Sequence, residues 1–158
     1  MDSMKDLAIL VLAAAPLFAA DPYEPLMLYQ GSWEAKTQGA EKPDHLTNDC
    51  VRVGRFYACQ QTVNGKPGAL LVFVPTETPG LYYTQAILQE GFATGRAELR
   101  IDGNRWTYSS KSEQNGKTKF HRTLNTFTGR DKIHYEIGDS DDGKTWTVTR
   151  AGDEQRAG

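Results

Sequence analysis

Three histidines and two cysteines are the scarcest reactive side chains in this 158-residue chain, so they are weighed first. His45, His121 and His134 invite a metal or haem site. The hairpin register worked out below puts His121 and His134 on the sheet face opposite an apolar wall, four strand positions apart. Four positions span about 13 Å, too far for two ligands of one ion, and His45 is remote in sequence. All three read as surface histidines, and no metal or cofactor is expected. Composition permits a Ser/His/Asp relay, but the G-x-S-x-G elbow that exposes a serine nucleophile is absent. Gly103, Gly116 and Gly129 each punctuate a hairpin instead of cradling phosphate. No paired carboxylates face a common pocket, as glycoside hydrolysis requires. No catalytic residue is assigned, and an enzyme without a recognisable motif is the least favoured reading.

The cysteines have a firmer meaning. With Gly54-Arg55 as a two-residue hairpin loop, Val53 opposes Phe56, Arg52 opposes Tyr57, Val51 opposes Ala58 and Cys50 opposes Cys59. Pairs alternate outward from the hydrogen-bonded closing pair, so Cys50 and Cys59 form a non-hydrogen-bonded pair with Cα atoms about 4.5 Å apart. A cross-strand disulfide is the expectation. A redox pair would want closer C-x-x-C spacing and a helix N-terminus.

Hairpin arithmetic also orders the second half. Asp102-Gly103 as a loop sets Leu99 opposite Trp106 and Ala97 opposite Tyr108. Gly129-Arg130 sets Leu124 opposite Tyr135, Thr126 opposite Ile133 and Arg122 opposite Ile137. Between them, a three-residue loop with a bulge at Gly116 sets Trp106 opposite Leu124 and Tyr108 opposite Arg122. A two-residue loop would put Trp106 and Leu124 on different faces, so continuity of the apolar face favours the bulge. One wall then carries Leu99, Trp106, Tyr108, Leu124, Tyr135 and Ile137, with Arg122 as its only charge.

The strands holding these residues follow from turn signals that recur between Gly31 and Arg150, separating segments rich in Val, Ile, Thr, Tyr and Phe. The pattern predicts nine or ten antiparallel strands in one all-β domain, a closed barrel or sandwich. A short helical turn is expected over Pro22 to Tyr29, with Asp21 as its N-cap. Ahead of it, Lys5, the apolar run from Leu7 to Ala15 and the small residues ending at Ala20 have the order of a cleaved secretory signal. Residues 1–20 are therefore expected to be a signal peptide, 21–150 the domain and 151–158 a frayed polar tail. The protein would be periplasmic or secreted, without stable membrane insertion, since the run is shorter than a bilayer span. With 18 Lys and Arg against 20 Asp and Glu, no basic excess exists for nucleic acid.

Gly31-Ser32-Trp33, just after the helical turn, resembles the G-x-W motif of lipocalins and the wider calycin superfamily. Over roughly residues 28 to 150 the chain also resembles a bacterial secreted lipocalin-like family of unknown function. That likeness runs through Gly31-Ser32-Trp33, the Cys50 to Cys59 hairpin and the closing Asp142-Gly143-Lys144-Thr145-Trp146 segment. The resemblance implies an up-and-down barrel of eight to ten strands, plugged at one end by Pro22 to Tyr29. It also implies a basic residue from the last strand over Trp33, for which Arg150 is the candidate. Ser140 to Trp146 further resembles the Asp-box of sialidases, S-x-D-x-G-x-T-W, and is read as a structural turn.

Such a barrel is expected to hold a small apolar or aromatic ligand. Tyr83, Gln85, Tyr108, Arg122 and Tyr135 are the expected lining, with Arg122 pairing a ligand carboxylate or closing the barrel internally. The alternative is a filled barrel serving structure or protein interaction. Ala69 to Val74 is apolar on both faces, so its outer face must be covered by another element or by a second copy in a homodimer.

Overall fold

The computed structural model describes residues 20–158, so the expected leader, apart from Ala20, lies outside the described residues. A 3-10 turn, Pro25–Tyr29, precedes ten strands. They are β1 (Gly31–Thr37), β2 (Asp44–Val53), β3 (Phe56–Val63), β4 (Lys66–Pro75), β5 (Leu81–Ile87), β6 (Ala97–Asp102), β7 (Arg105–Gln114), β8 (Lys117–Thr128), β9 (Lys132–Ser140) and β10 (Thr147–Arg156). Each pairs antiparallel with its sequence neighbours, and β10 closes on β1. This closed up-and-down barrel is consistent with a calycin or lipocalin-like fold. The helical segment begins at Pro25, three residues later than expected, while Asp21 Oδ1 accepts the Tyr23 amide at 3.0 Å.

The turn plugs one end. Leu26 is buried there with Trp33, Tyr82, Leu99, Trp106 and Phe127, and the Tyr82 hydroxyl donates to Pro22 O at 2.6 Å. No helix among the described residues is long and apolar enough to cross a membrane.

The β2–β3 hairpin has the expected register throughout, Val53 with Phe56 to Cys50 with Cys59, and the disulfide joins them with Cα atoms 4.0 Å apart. The other hairpins depart from expectation in an instructive way. At β6–β7 the loop is Gly103-Asn104, so Leu99 faces Tyr108 and Ile101 faces Trp106. That is a two-place slip, which leaves every side chain on its expected face. Asn104 anchors the shifted turn, its Nδ2 donating to Phe127 O at 2.9 Å.

At β7–β8 the bulged loop is not formed. Asn115-Gly116 is a two-residue turn with φ of 53° and 74°, the double left-handed geometry of a type I′ hairpin, and Trp106 faces Asn125. At β8–β9 the loop has three residues, Gly129 to Asp131, and Phe127 faces Ile133. Each slip is one place, so β8 is turned over. The two cancel, and β9 returns to its expected face.

Phe120, Arg122 and Leu124 therefore point outward, and Thr123, Asn125 and Phe127 inward. Apolar continuity misled because the loop from 141 to 146 covers the outside of β8. Gly143 rests on the Phe120 ring, where a Cβ would stand 3.3 Å from Cε1, and Trp146 lies under the Arg122 guanidinium at 4.3 Å.

The loop itself is held as expected of a structural turn. Asp142 Oδ1 accepts the amides of Thr145 at 2.7 Å and Lys144 at 2.8 Å, and the Ser140 hydroxyl at 2.9 Å. Those bonds pull the Asp142 carboxyl down to about 2. Yet Ser140 to Trp146 has one residue fewer between aspartate and glycine than S-x-D-x-G-x-T-W, so the likeness to that motif is only partial.

The expected frayed tail is a strand: Ala151 to Arg156 completes β10 and closes the barrel on β1. This moves the arginine over Trp33 from Arg150 to Arg156, whose guanidinium stands 4.2 Å from the ring centroid. Gly31 belongs to the same contact. Its φ of +108° suits glycine, and a Cβ there would stand 3.0 Å from Arg156 Nη1.

Outside the barrel, Leu70, Val72 and Val74 of β4 alternate with inward Leu71 and Phe73. They neighbour the exposed Val51, Val53, Phe56 and Ile87, making an apolar strip across β2 to β5.

Candidate functional site

The end opposite the 3-10 turn is open and leads into a cavity of about 580 Å³. Two features of the sequence leave this space. Ten strands enclose a wider interior than eight. Many inward positions are also small: Ala35, Thr84, Ala86, Ala97, Thr123 and Gly152. At Gly152 a Cβ would meet the Tyr135 ring, so the missing side chain is what lets that tyrosine lie across the strand. Its hydroxyl is 2.7 Å from Thr37 Oγ1.

Aromatic rings dominate the deep part. Tyr29, from the 3-10 turn, lies 6.3 Å from Trp106 between centroids, and Tyr108 and Phe73 complete this end of the cavity. Burial holds the Tyr29 and Tyr108 phenols well above the usual range, and Glu154 pushes both further up; the Gln61 amide beside Tyr29 acts the other way. Both phenols are therefore neutral hydrogen-bonding groups at any ordinary pH.

Glu154 is the unusual member. It faces Ala35 across β1 and Ile133 across β9, and the small alanine leaves its carboxyl room among the cavity walls. No hydrogen bond or ion pair reaches this carboxyl from the described residues, and burial alone lifts it to about 7. A buried acid is ordinarily paired, because removing an ionised carboxylate from water is costly. The charged groups nearer the opening are Arg150 and Asp44.

Of the five residues expected to line a ligand site, Tyr108 and Tyr135 lie in the cavity wall, and Gln85 borders it with its amide donating to Thr94 O at 2.6 Å. Tyr83 and Arg122 stand outside. Arg96 covers the Tyr83 ring at 4.4 Å, and Arg122 stacks on Trp146. Arg150, expected over Trp33, instead lines the cavity. Sequence reasoning missed Glu154, Tyr29 and Asn125. Glu154 sat in the presumed tail, and Asn125 on the strand whose faces were exchanged.

Turning β8 over has a second effect at the open rim. Ser112 Oγ is 2.8 Å from His121 Nε2, and His121 Nδ1 is 2.7 Å from Asp139 Oδ1. All three side chains are partly exposed. With Nδ1 carrying the proton to Asp139, Nε2 is free to accept the serine proton, the arrangement of a nucleophile relay. The Gln114 amide lies 3.5 Å from Ser112 Oγ. The other histidines point away from the cavity and each meets an acid, His45 with Glu34 and His134 with Asp153. Among the described residues no three His, Cys, Asp or Glu side chains gather as a metal site.

No protein-family model matches the chain, and no curated protein matches it either.

Proposed function

We propose that this chain is an exported lipocalin-like barrel that binds one small, largely apolar or aromatic molecule through its open end. The 580 Å³ cavity carries the reading. It is of the size and character of small-molecule sites, mostly apolar walls with a few placed polar groups. It weighs against a filled structural barrel, which would pack its interior side chains. The leader-like order of residues 1–20 and the Cys50–Cys59 disulfide support export, since disulfides persist in oxidising compartments. Membership of the bacterial secreted lipocalin-like family rests on the same resemblance.

Native and denaturing mass spectra of the exported chain test the reading. Extra mass held natively and lost on denaturation is expected. So is uptake from a mixture of fatty acids, aromatic acids and aromatic amines. Thr123→Trp should fill the cavity and cut uptake at least tenfold while the fold survives. A bare mass with no uptake returns the reading to the filled barrel, with the strip outside β2 to β5 as its contact surface.

A second reading has the rim relay in its favour. Ser112 Oγ would attack an acyl carbonyl while His121 Nε2 takes its proton and passes it to the leaving alcohol. Water would then release the acid by the same route. Turnover of p-nitrophenyl acetate should fall at least tenfold in Ser112→Ala and persist in Ser109→Ala, whose serine lies on the outer face. Equal rates in both variants would remove this reading.

A further inference from the structure

We infer that the cavity selects a protonated amine: an aromatic or apolar body carrying one ammonium group, which Glu154 receives beside Tyr29 and Tyr108. This rests on the ligand-binding reading and names the class of ligand.

Glu154 lacks a partner. It is largely buried, projects among the walls of a cavity, and has neither ion pair nor hydrogen bond among the described residues. The nearest cation on the same strand is Arg156, two positions away and about 7 Å along β10, but its guanidinium is taken by Leu28 O, Gln30 O, Arg130 O and the Asp131 carboxylate. No ion pair links it to Glu154. The cavity therefore supplies a negative group at depth and leaves its counterion to come from outside. An ammonium satisfies it with a charge-assisted hydrogen bond. The surrounding rings favour the same charge, because the faces of Tyr29, Tyr108 and Phe73 attract cations. An anionic head group in the same place would meet a like charge.

The titratable and charged groups around Glu154 are the phenols of Tyr29, Tyr108 and Tyr135, Arg156 two positions along β10, and Arg150 and Asp44 nearer the opening; burial keeps Tyr29 and Tyr108 neutral in the working range. The pH response of binding near neutrality is assigned to Glu154, the cavity acid that burial lifts into that range. Its carboxyl holds a proton up to about pH 7 in the free protein, so seating an ammonium below that pH must expel the proton. Amine affinity should weaken about tenfold for each pH unit below 7, and stay level from there to the amine's own pKa.

Three probes of one shape decide the matter by fluorescence titration of the full exported chain at pH 8: 1-naphthylmethylamine, 1-naphthylmethanol and 1-naphthylacetate. The amine should bind at least tenfold more tightly than the alcohol, and the acid more weakly than either. Glu154→Gln should bring the amine down to the alcohol's affinity and leave the alcohol unchanged, which excludes simple misfolding. Calorimetry at pH 6 in two buffers of different ionisation enthalpy should register about one proton released per amine bound. Equal binding of alcohol or acid, or an amine preference that survives Glu154→Gln, overturns the amine assignment and leaves the cavity reading standing. Failure of all three probes, with no uptake in the mass spectra, overturns both.

Discussion

Arg156→Leu is expected to destabilise the barrel by about 3–4 kcal/mol and to lower its melting temperature by roughly 10 °C. The guanidinium joins three parts of the molecule that no other side chain joins among the described residues. Nη1 donates to Gln30 O at 2.8 Å, Nη2 donates to Leu28 O at 2.9 Å and Arg130 O at 3.0 Å, and Nε meets Asp131 Oδ1 at 3.2 Å. The first two acceptors end the 3-10 turn and the others lie in the β8–β9 loop. The face of the same group covers Trp33. Hydrogen bonds from a charged donor contribute about 1.5–3 kcal/mol each and a cation–π contact about 0.5–2 kcal/mol. The side chain is 27% exposed and the bonds share one group, so the sum must be cut well below their total. Leucine would keep some cover over Trp33 but leave the plug carbonyls unpaired. Lysine would restore charge without the fork that spans them. Arg150→Leu, at the position expected from the resemblance, should stay within about 0.5 kcal/mol. Urea unfolding of the three variants checks this, and an Arg156→Leu loss no larger than that of Arg150→Leu would contradict it.

Strand number, antiparallel order, plug and disulfide were legible in the chain because turn residues mark them locally. Gly54-Arg55 leaves one way to fold the cysteine hairpin. The site was less legible because it depends on which face of each strand turns inward, and that is fixed by loop lengths to a single residue. Two neighbouring loops were each one residue from expectation, and both lengths had looked permissible. The error was invisible on β9, where the slips cancel, and complete on β8, where they exchange Arg122 with Thr123. Apolar continuity normally arbitrates such cases, but the loop over 141–146 covers Phe120 and Arg122 from outside, which a strand-by-strand reading cannot weigh.

The tail failed for a different reason. Ala151-Gly152-Asp153-Glu154-Gln155-Arg156 has no apolar alternation, so nothing local marks it as a strand. It is a strand because β1 needs a partner to close the barrel. Its inward positions are a glycine under a tyrosine, an acid in the cavity and an arginine over a tryptophan. None of these resembles a core residue until the ring is closed.

Glu154→Gln should make the ligand-free protein more stable by about 2–3 kcal/mol at pH 8 and leave it level with the natural protein at pH 4. Burial raises this carboxyl from 4.5 to about 7 on folding, and that direction sets the sign. Below pH 4.5 both folded and unfolded chains keep the proton, and the group does not affect stability. Between there and pH 7 the unfolded chain releases it while the folded chain holds it, so unfolding becomes steadily more favourable. Above pH 7 both are ionised and the full penalty applies. Every tenfold change in proton affinity on folding corresponds to about 1.4 kcal/mol, reduced here because the cavity opens to water. Glutamine keeps the shape and carries no charge, so the difference between the two proteins should appear only across this interval. Urea midpoints at intervals from pH 4 to 8 would trace it, and a gap that does not change with pH would show that the carboxyl is not buried as described. An aromatic amine at pH 8 should then raise the stability of the natural protein, by mass action on the folded state, and raise that of the glutamine variant by less at the same concentration, since the variant keeps only the alcohol's affinity. A protein that is less stable for keeping this acid, and recovers when an ammonium fills the cavity, holds the acid for its ligand.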